Sequence, residues 1–378
     1  MSQPQLTRRP AVSVLTNRLL HLGVGDDVRR LAGDIDPALS GVVVVGEHSG
    51  DAARNLRAGY PDLVVIQQPA VFKSRIASAE SPFPFAADPG YDQALFAFEQ
   101  TLDDYLDAQL SNGASAAVLP TGFMPPGAHR ALSAAVKTAN ALDRDDVVLH
   151  LPLSYKWLAA AADRTKLINA VCRSRHPVAI SLAHKSDPAS QAGVVAGIHE
   201  LIGAAGNRVS LWHCDLGVLD ALAQGALGGA VGVTSTNRHI VDPGETAHSP
   251  LVHDRTPNVL IPAHQRYGKA EHMARNWYAN GGDPTCGCRT CHGRAITRFA
   301  ATDADKLEAH RHNLALITAT QRRLLNASNR RLAWAEILAD AVAAHQATAS
   351  ATGVLSIRPE GALKQWIALN PMPNSPAH

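Results

Sequence analysis

Long apolar runs are what this 378-residue chain most plainly lacks. Nowhere do 18 apolar residues follow one another, so no membrane-spanning helix is expected. Charge of one sign is missing too: 35 Lys and Arg face 33 Asp and Glu, and a net charge of +2 selects no class of partner. Cysteine is scarce and odd in number, at five, which suits a disulfide framework poorly. The N-terminal MSQPQLTRRPAVSV has no long apolar segment of the secretory kind, and clustered thiols without one suggest a reducing cytoplasm. No internal repeat or low-complexity tract stands out. What is present is a hydrophobic content of 46%, ample for a large core. The length allows two average domains or one α/β barrel with an attachment.

Three of the five cysteines, Cys286, Cys288 and Cys291, fall within six residues. Thiolates this close, with a histidine downstream, fit a tetrahedral zinc site of three sulfurs and one imidazole. Gly287 is expected to let the loop fold sharply between them. The fourth ligand should come from a separate helix holding His310 and His312, because His292 adjoins Cys291 and would be strained in reaching back. A disulfide or unrelated free thiols is the rival reading.

Short runs rich in Val, Ile, Leu and Ala occur at Val42–Val45, Leu63–Ile66, Ala116–Leu119, Val147–Leu153, Pro177–Leu182, Val209–Trp212, Ala230–Val233 and Asn258–Ile261. They do not alternate cleanly, as expected of strands buried on both faces. Helical patterns lie between most of them, at Tyr91–Leu110, Ala128–Ala141, Trp157–Cys172, Ala189–Ala204 and Leu216–Ala226. Eight strands alternating with helices is the count of a (β/α)8 TIM barrel, with a doubly wound open sheet as its rival. The expected organisation is an N-terminal segment over 1–35, the barrel over 36–280, and a C-terminal zinc-binding, helical subdomain over 281–378. The gap between Gln67 and Ser115 holds a proline-rich stretch and reads as a loop insertion. The tail carries Pro371, Pro373 and Pro376 and reads as frayed. A zinc with four protein ligands has no open position and is structural, so chemistry belongs at the strand C-termini.

Cys286, Cys288 and Cys291, then a helix bearing His312-Asn313-Leu314, all after a (β/α)8 pattern, resemble the tRNA-guanine transglycosylases. Leu110–Gly127 (a helix ending at Gly, a strand, then Pro-Pro-Gly) and Leu211–Arg238 (strand, helix, Gly, strand) are similar to further segments of that family. The resemblance runs from about Val42 to Leu325. It implies structural zinc with His312 as fourth ligand, and exchange of guanine for a 7-deazaguanine base in nucleic acid, either tRNA or, as in divergent relatives, DNA. It also implies a possible homodimer or partner subunit.

The family's nucleophilic aspartate, in a segment like Phe-Asp-Cys followed by Pro-Thr-Arg, is matched by Gly228–His239, which has no acid; Thr234 stands nearest. Gln67–Phe72 replaces the family's Asp-Ser-Gly-Gly-Phe, and Ile180–His184 replaces its base-contacting Gly-Gly-Leu. Gln68, Thr234 and Arg238 are therefore the substrate-binding candidates that the resemblance implies. Base exchange needs a nucleophile at the sugar carbon and an acid/base group for the departing base. Asp215, in LWHCD, is the candidate nucleophile, with His184 or His213 as partner; Lys185 and Asp187 lie near His184 in LAHKSDP. The plainer alternative is that Asp215 caps the helix that follows. His150, inside an apolar strand, reads as a core histidine, and Cys172 and Cys214 read as small packed hydrophobes.

Arg289, Arg294 and Arg298 surround the cysteine loop, and Arg311, Arg322, Arg323, Arg330 and Arg331 follow it. With Tyr267, Lys269, Arg275 and Trp277 before it, this third of the chain could form a phosphate-binding face. Interspersed acids such as Asp303, Asp305 and Glu308 favour a solvated helix face instead. A duplex or folded substrate would have to flip its base into the barrel. Two readings of function follow: a divergent base-exchanging enzyme, or a non-catalytic member that keeps the fold to bind nucleic acid or a partner. An unrelated hydrolase on the same barrel is a lesser third. A carboxylate paired with a second polar group at the barrel mouth favours the first. A mouth of Gln68, Thr234 and apolar residues favours the second.

Overall fold

The computed structural model describes residues 9–46, 48–84, 101–245, 254–280 and 282–372. Eight parallel strands form one sheet: β1 (Leu19–Gly23), β2 (Ser40–Val45), β3 (Val64–Gln68), β4 (Ala117–Val118), β5 (Val147–Ser154), β6 (Val178–Ala183), β7 (Val209–Trp212) and β8 (Gly228–Gly232). Their order is β3-β2-β1-β8-β7-β6-β5-β4. The two ends meet where Ile66 bridges Ala116 and the Ser115 amide donates to the Val65 carbonyl at 2.7 Å, so the sheet is a nearly closed (β/α)8 barrel. Every residue of these strands is buried. One side of each strand fills the interior (Leu20, Leu22, Val43, Ile66, Val148, Trp212), and the other meets the helices (Leu149, Leu151, Ile180, Leu182). Burial on both faces is why the runs are apolar without alternation.

The strand count needs one correction. The run Asn258–Ile261 is not a barrel strand. It is β9, paired antiparallel with β10 (Arg266–Lys269) in a separate two-stranded sheet. The place in the barrel is taken by β1, which lies inside the stretch expected to precede it. β9 is as apolar as a barrel strand because the helix Asp303–Asn326 covers it: Asn313 on that helix accepts from the Leu260 amide at 2.7 Å. β1 escapes notice because His21 interrupts its leucines.

The helices His129–Asn140, Ala161–Arg173, Val194–Ala205 and Gly217–Gln224 lie close to their expected spans, and Leu102–Ser111 is the described part of the pattern beginning at Tyr91. Residues 91–100, the rest of the proline-rich stretch beyond residue 84, and the tail from residue 373 lie outside the described residues. The helix Leu102–Ser111 starts on a capping box, with the Thr101 hydroxyl accepting from the Asp104 amide.

After β8 the chain leaves the barrel for the hairpin, the helix Ala270–Asn276 and the cysteine loop. It returns as the helix Asp303–Asn326, whose Leu314 and Ile317 pack against the barrel and whose Gln321 donates to the carbonyls of Asn17 and Leu39 below β1 and β2. The last helices, Arg330–Thr352 and Gly361–Leu369, are knotted to the barrel by Asp220. Its buried carboxylate accepts from Trp334 Nε1 at 2.8 Å and Asn370 Nδ2 at 3.1 Å and lies 2.7 Å from His199 Nε2.

Candidate functional site

The cysteine loop is shaped by its own backbone. The Gly293 amide donates to the Cys286 carbonyl, and the Cys291 and His292 amides to the Cys288 carbonyl. The left-handed residues that turn the loop are His292 (φ 51°) and Gly293 (φ 83°); Gly287, expected to make that turn, has no positive φ. This brings Cys286, Cys288 and Cys291 together with His312, their ligand atoms all within 4.8 Å of one another. His312 Nε2–H donates to the Leu260 carbonyl at 2.8 Å, which leaves Nδ1 facing Cys291 Sγ at 3.2 Å and Cys288 Sγ at 3.5 Å. A histidine whose outer nitrogen is anchored on a carbonyl is the usual arrangement of a metal ligand. Burial lowers the His312 pKa, keeping the ring neutral as ligation requires. The cluster can therefore hold a metal ion, and three thiols with one imidazole suit zinc. His292 is exposed and points elsewhere, and His310 lies in a small enclosed cavity against His21 and Tyr267, where burial pushes its pKa down to about 4.

A second cluster stands at the C-terminal ends of β6, β7 and β8. Beyond β7 the chain turns through two left-handed residues, His213 (φ 51°) and Asp215 (φ 41°). Non-glycine residues are held this way at a cost, and such strain gathers at functional sites. The Asp215 amide donates to the Arg238 carbonyl at 3.1 Å, locking the two loops together. The loop after β8 can fold back this tightly because Gly232 has no side chain: a Cβ there would sit 2.3 Å from the Asn237 carbonyl carbon. The fold-back carries Arg238 and His239 over Asp215, with Arg238 Nε 3.8 Å from Oδ1 and His239 Nδ1 3.5 Å from Oδ2.

Neither contact is a formed hydrogen bond, and both buried nitrogens lack a hydrogen-bond partner among the described residues. Arg238 is only 5% exposed, and its guanidinium lies 3.4 Å over the centre of the Tyr267 ring. From the loop after β6, Asp187 joins the cluster. Burial, reinforced by the charge of Asp215, raises its pKa to about 7, against the pull of the Ala189 amide that donates to it. Burial lowers the pKa of His239, but attraction to Asp215 and Asp187 outweighs it and the net shift is upward. Asp187, its pKa held up by burial and the charge of Asp215, stands with cationic donors that make no hydrogen bond at a barrel mouth, an arrangement suited to acid–base chemistry.

The other sequence candidates fall differently. Asp215 does not cap the helix Gly217–Gln224, which begins at Leu216 without a side-chain cap. His184 turns to its own loop, with Nδ1 3.0 Å from Ser186 Oγ and its ring against Tyr155, rather than to Asp215. His213 is not at the mouth. It is enclosed in the barrel, with Nδ1 donating to the Asn237 carbonyl at 2.8 Å, and burial pushes its pKa down to about 3. The fully buried Gln68 bridges His213 Nε2 (2.8 Å) and His150 Nε2 (3.2 Å), and His150 also meets Ser181 Oγ at 2.9 Å. His150 is thus a core histidine, but a hydrogen-bonded one. Thr234 is half-buried and bonded to Thr236 and Asn237. Cys214 is buried as expected, whereas Cys172 is exposed.

Most of the arginines around the metal loop are answered within the chain. Arg294 and Arg298 share Glu308, Arg311 meets Asp34 at 2.8 Å, Arg322 meets Asp36 at 2.6 Å, and Arg289 donates to the Asp34 carbonyl. Sequence reasoning missed the pairing of Asp187 with Asp215 and passed over His239. The available signal was position: each lies within seven residues of a strand's C-terminal end.

Fold and site together define a (β/α)8 barrel carrying a metal-binding cluster of three cysteines and one histidine outside the barrel. None of its helices is long and apolar enough to cross a membrane, among the described residues. No family model matches the chain, and no curated protein matches it.

Proposed function

We propose that this protein is a divergent relative of the tRNA-guanine transglycosylases that exchanges guanine for a 7-deazaguanine base in nucleic acid, with Asp215 as nucleophile. The observation that carries this is Asp215 at the barrel mouth, faced by Arg238 and His239. Asp215 springs from the strand beside β8, whose following loop takes the place of the family's nucleophile segment in the resemblance, and its carboxylate turns toward that loop's Arg238 and His239. One Asp215 oxygen would bond to the anomeric carbon as the bond to guanine breaks. The departing base carries off the electron pair and takes the proton that Asp187 holds up to about pH 7. An incoming 7-deazaguanine returns a proton to Asp187, and its ring nitrogen displaces Asp215, restoring Asp187 as the acid and Asp215 as the carboxylate. The unpartnered Arg238 Nε and His239 Nδ1 supply donors for acceptor atoms of the base or sugar. Zinc on Cys286, Cys288, Cys291 and His312 would be structural, with every position filled by protein.

The test is incorporation of labelled guanine or a 7-deazaguanine into tRNA and into DNA. Wild type is expected to incorporate label, and Asp215→Asn to lose it by about a thousandfold or more, as loss of a covalent nucleophile does. Equal incorporation by both removes Asp215 from the mechanism. No incorporation into either nucleic acid turns the reading to a non-catalytic binding subunit. That second reading is favoured by one observation: Gln68 and Thr234, which stand where the family has its acids, are both tied up in hydrogen bonds of the fold.

A further inference from the structure

The metal cluster and the barrel-mouth cluster are joined by an unbroken series of contacts through the hairpin. The two residues at the head of the motif on the helix Asp303–Asn326 divide the work. His312 faces the thiols with one nitrogen and donates to the Leu260 carbonyl with the other. Asn313 accepts from the Leu260 amide at 2.7 Å and donates to the Asn258 carbonyl at 2.9 Å. Together they occupy the edge of β9 as a neighbouring strand would, so β9 moves with the metal ligand. In the hairpin register Leu260 stands opposite Tyr267 on β10. The Tyr267 ring is the platform on which the Arg238 guanidinium rests, and Arg238 in turn faces Asp215.

Arg238 otherwise has little to fix it. Its Nε has no hydrogen-bond partner among the described residues, and 3.8 Å separates it from Asp215. A guanidinium stacked on an aromatic face is well held only while that face stays in place.

We propose that the cluster of Cys286, Cys288, Cys291 and His312, when loaded with metal, sets the position of Arg238 at the barrel mouth through Asn313, the hairpin and Tyr267, with Tyr267 as the positioning residue. The metal then does more than tie late helices to the barrel. Its loss leaves the barrel core intact and loosens the donor that faces the carboxylates. This goes beyond base exchange and does not depend on it, since it concerns where Arg238 stands and not what binds there.

Ring currents make this measurable. Arginine side-chain protons this close over a tyrosine face resonate upfield of their ordinary position, so Arg238 in protein labelled at arginine carries a marker of the stack. Tyr267→Leu should abolish that shift and assign it. Tyr267→Phe should restore it, because the ring and not the hydroxyl makes the contact. Removing Zn2+ with a thiol-reactive mercurial and a chelator should move the Arg238 signal to the ordinary position while the barrel amides stay put, and readdition after thiol reduction should bring it back. Should the metal-free protein unfold, Asn313→Ala decides, since it keeps all four ligands and removes two of the three bonds on the β9 edge, leaving the one from His312. It is expected to lose the shift with zinc still bound one per chain. An Arg238 signal that stays upfield in folded, metal-free protein, or in Asn313→Ala, overturns the proposal. So does a wild-type protein that takes up no zinc.

Discussion

The two clusters differ in how completely their own groups satisfy one another. In the metal cluster every donor has a use. His312 is anchored by one nitrogen and aimed by the other, and Cys291 Sγ accepts from Arg298, which Glu308 holds in turn. The barrel mouth is unfinished. Arg238 Nε and His239 Nδ1 are buried with only long contacts to Asp215 and no hydrogen bond, and burial with the charge of Asp215 raises the pKa of Asp187. Buried polar atoms are rarely left unpaired, so each one calls for an explanation. On the function proposed above, the closed cluster serves the fold and the open one receives a ligand.

The sharpest way to break this contrast is to open the closed cluster. Cys288→Ser should lose stoichiometric zinc, measured by metal analysis, and suffer the largest loss of stability of any single change here. Zinc binding in small domains is worth on the order of 10 kcal/mol and is largely folding energy. The barrel supports the rest of the chain, so a loss of several kcal/mol, read by denaturant unfolding of the C-terminal helices, is the expectation. A variant as stable as wild type would show that the cluster does not serve the fold.

The next largest effect belongs to the open cluster and depends on pH. Asp187 has its pKa raised on folding, to about 7, so the folded chain holds a proton that the unfolded chain gives up near pH 4. The native state binds more protons over that interval, and stability must fall as pH rises through it. His239 adds to this in the same sense: a raised folded pKa contributes below the unfolded value and is lost above the folded one. Asp187→Asn should flatten the fall between pH 5 and pH 8, so that the variant gains on wild type as pH rises. Urea titrations at the two pH values measure it. A parallel pH dependence in both proteins would mean that Asp187 ionises normally and that no acid is held ready at the mouth.

How each cluster was legible follows from the same contrast. The ligands Cys286, Cys288 and Cys291 lie in one loop, and the chemistry of thiols at that spacing is local, so sequence alone found them. His312 could be separated from His310 only through the His-Asn-Leu resemblance. In the structure the distinction is one of helix faces, His312 toward the sulfurs and His310 into the cavity under β1. The barrel was legible because its strands are buried on both sides. That signal failed twice for physical reasons: His21 broke the run of β1, and β9 is buried by a helix and not by a sheet. The mouth was legible at Asp215 and, through the resemblance, at Arg238, but not as a cluster. Its partners Asp187, Arg238 and His239 come from other loops, and their convergence depends on the close fold-back that Gly232 permits, which no local pattern announces.

The smallest expected effect concerns the arginines of the C-terminal third. If their charges serve the fold, they are spent on Asp34, Asp36 and Glu308 and release few counterions to a nucleic acid. Arg322→Ala removes an exposed pair with Asp36 and should cost no more than about 1 kcal/mol in urea unfolding. It should also leave the salt dependence of tRNA or DNA binding unchanged. Lys73, exposed just after β3 and near enough for its charge to depress the pKa of His213, is the phosphate contact that the proposed function favours. Lys73→Ala should weaken binding evenly across sequences and lower the slope of log affinity against log salt by about 1. If Arg322→Ala lowers that slope instead and Lys73→Ala does not, the nucleic acid lies along the metal-binding flank, and the division between a cluster for the fold and a cluster for the ligand no longer holds.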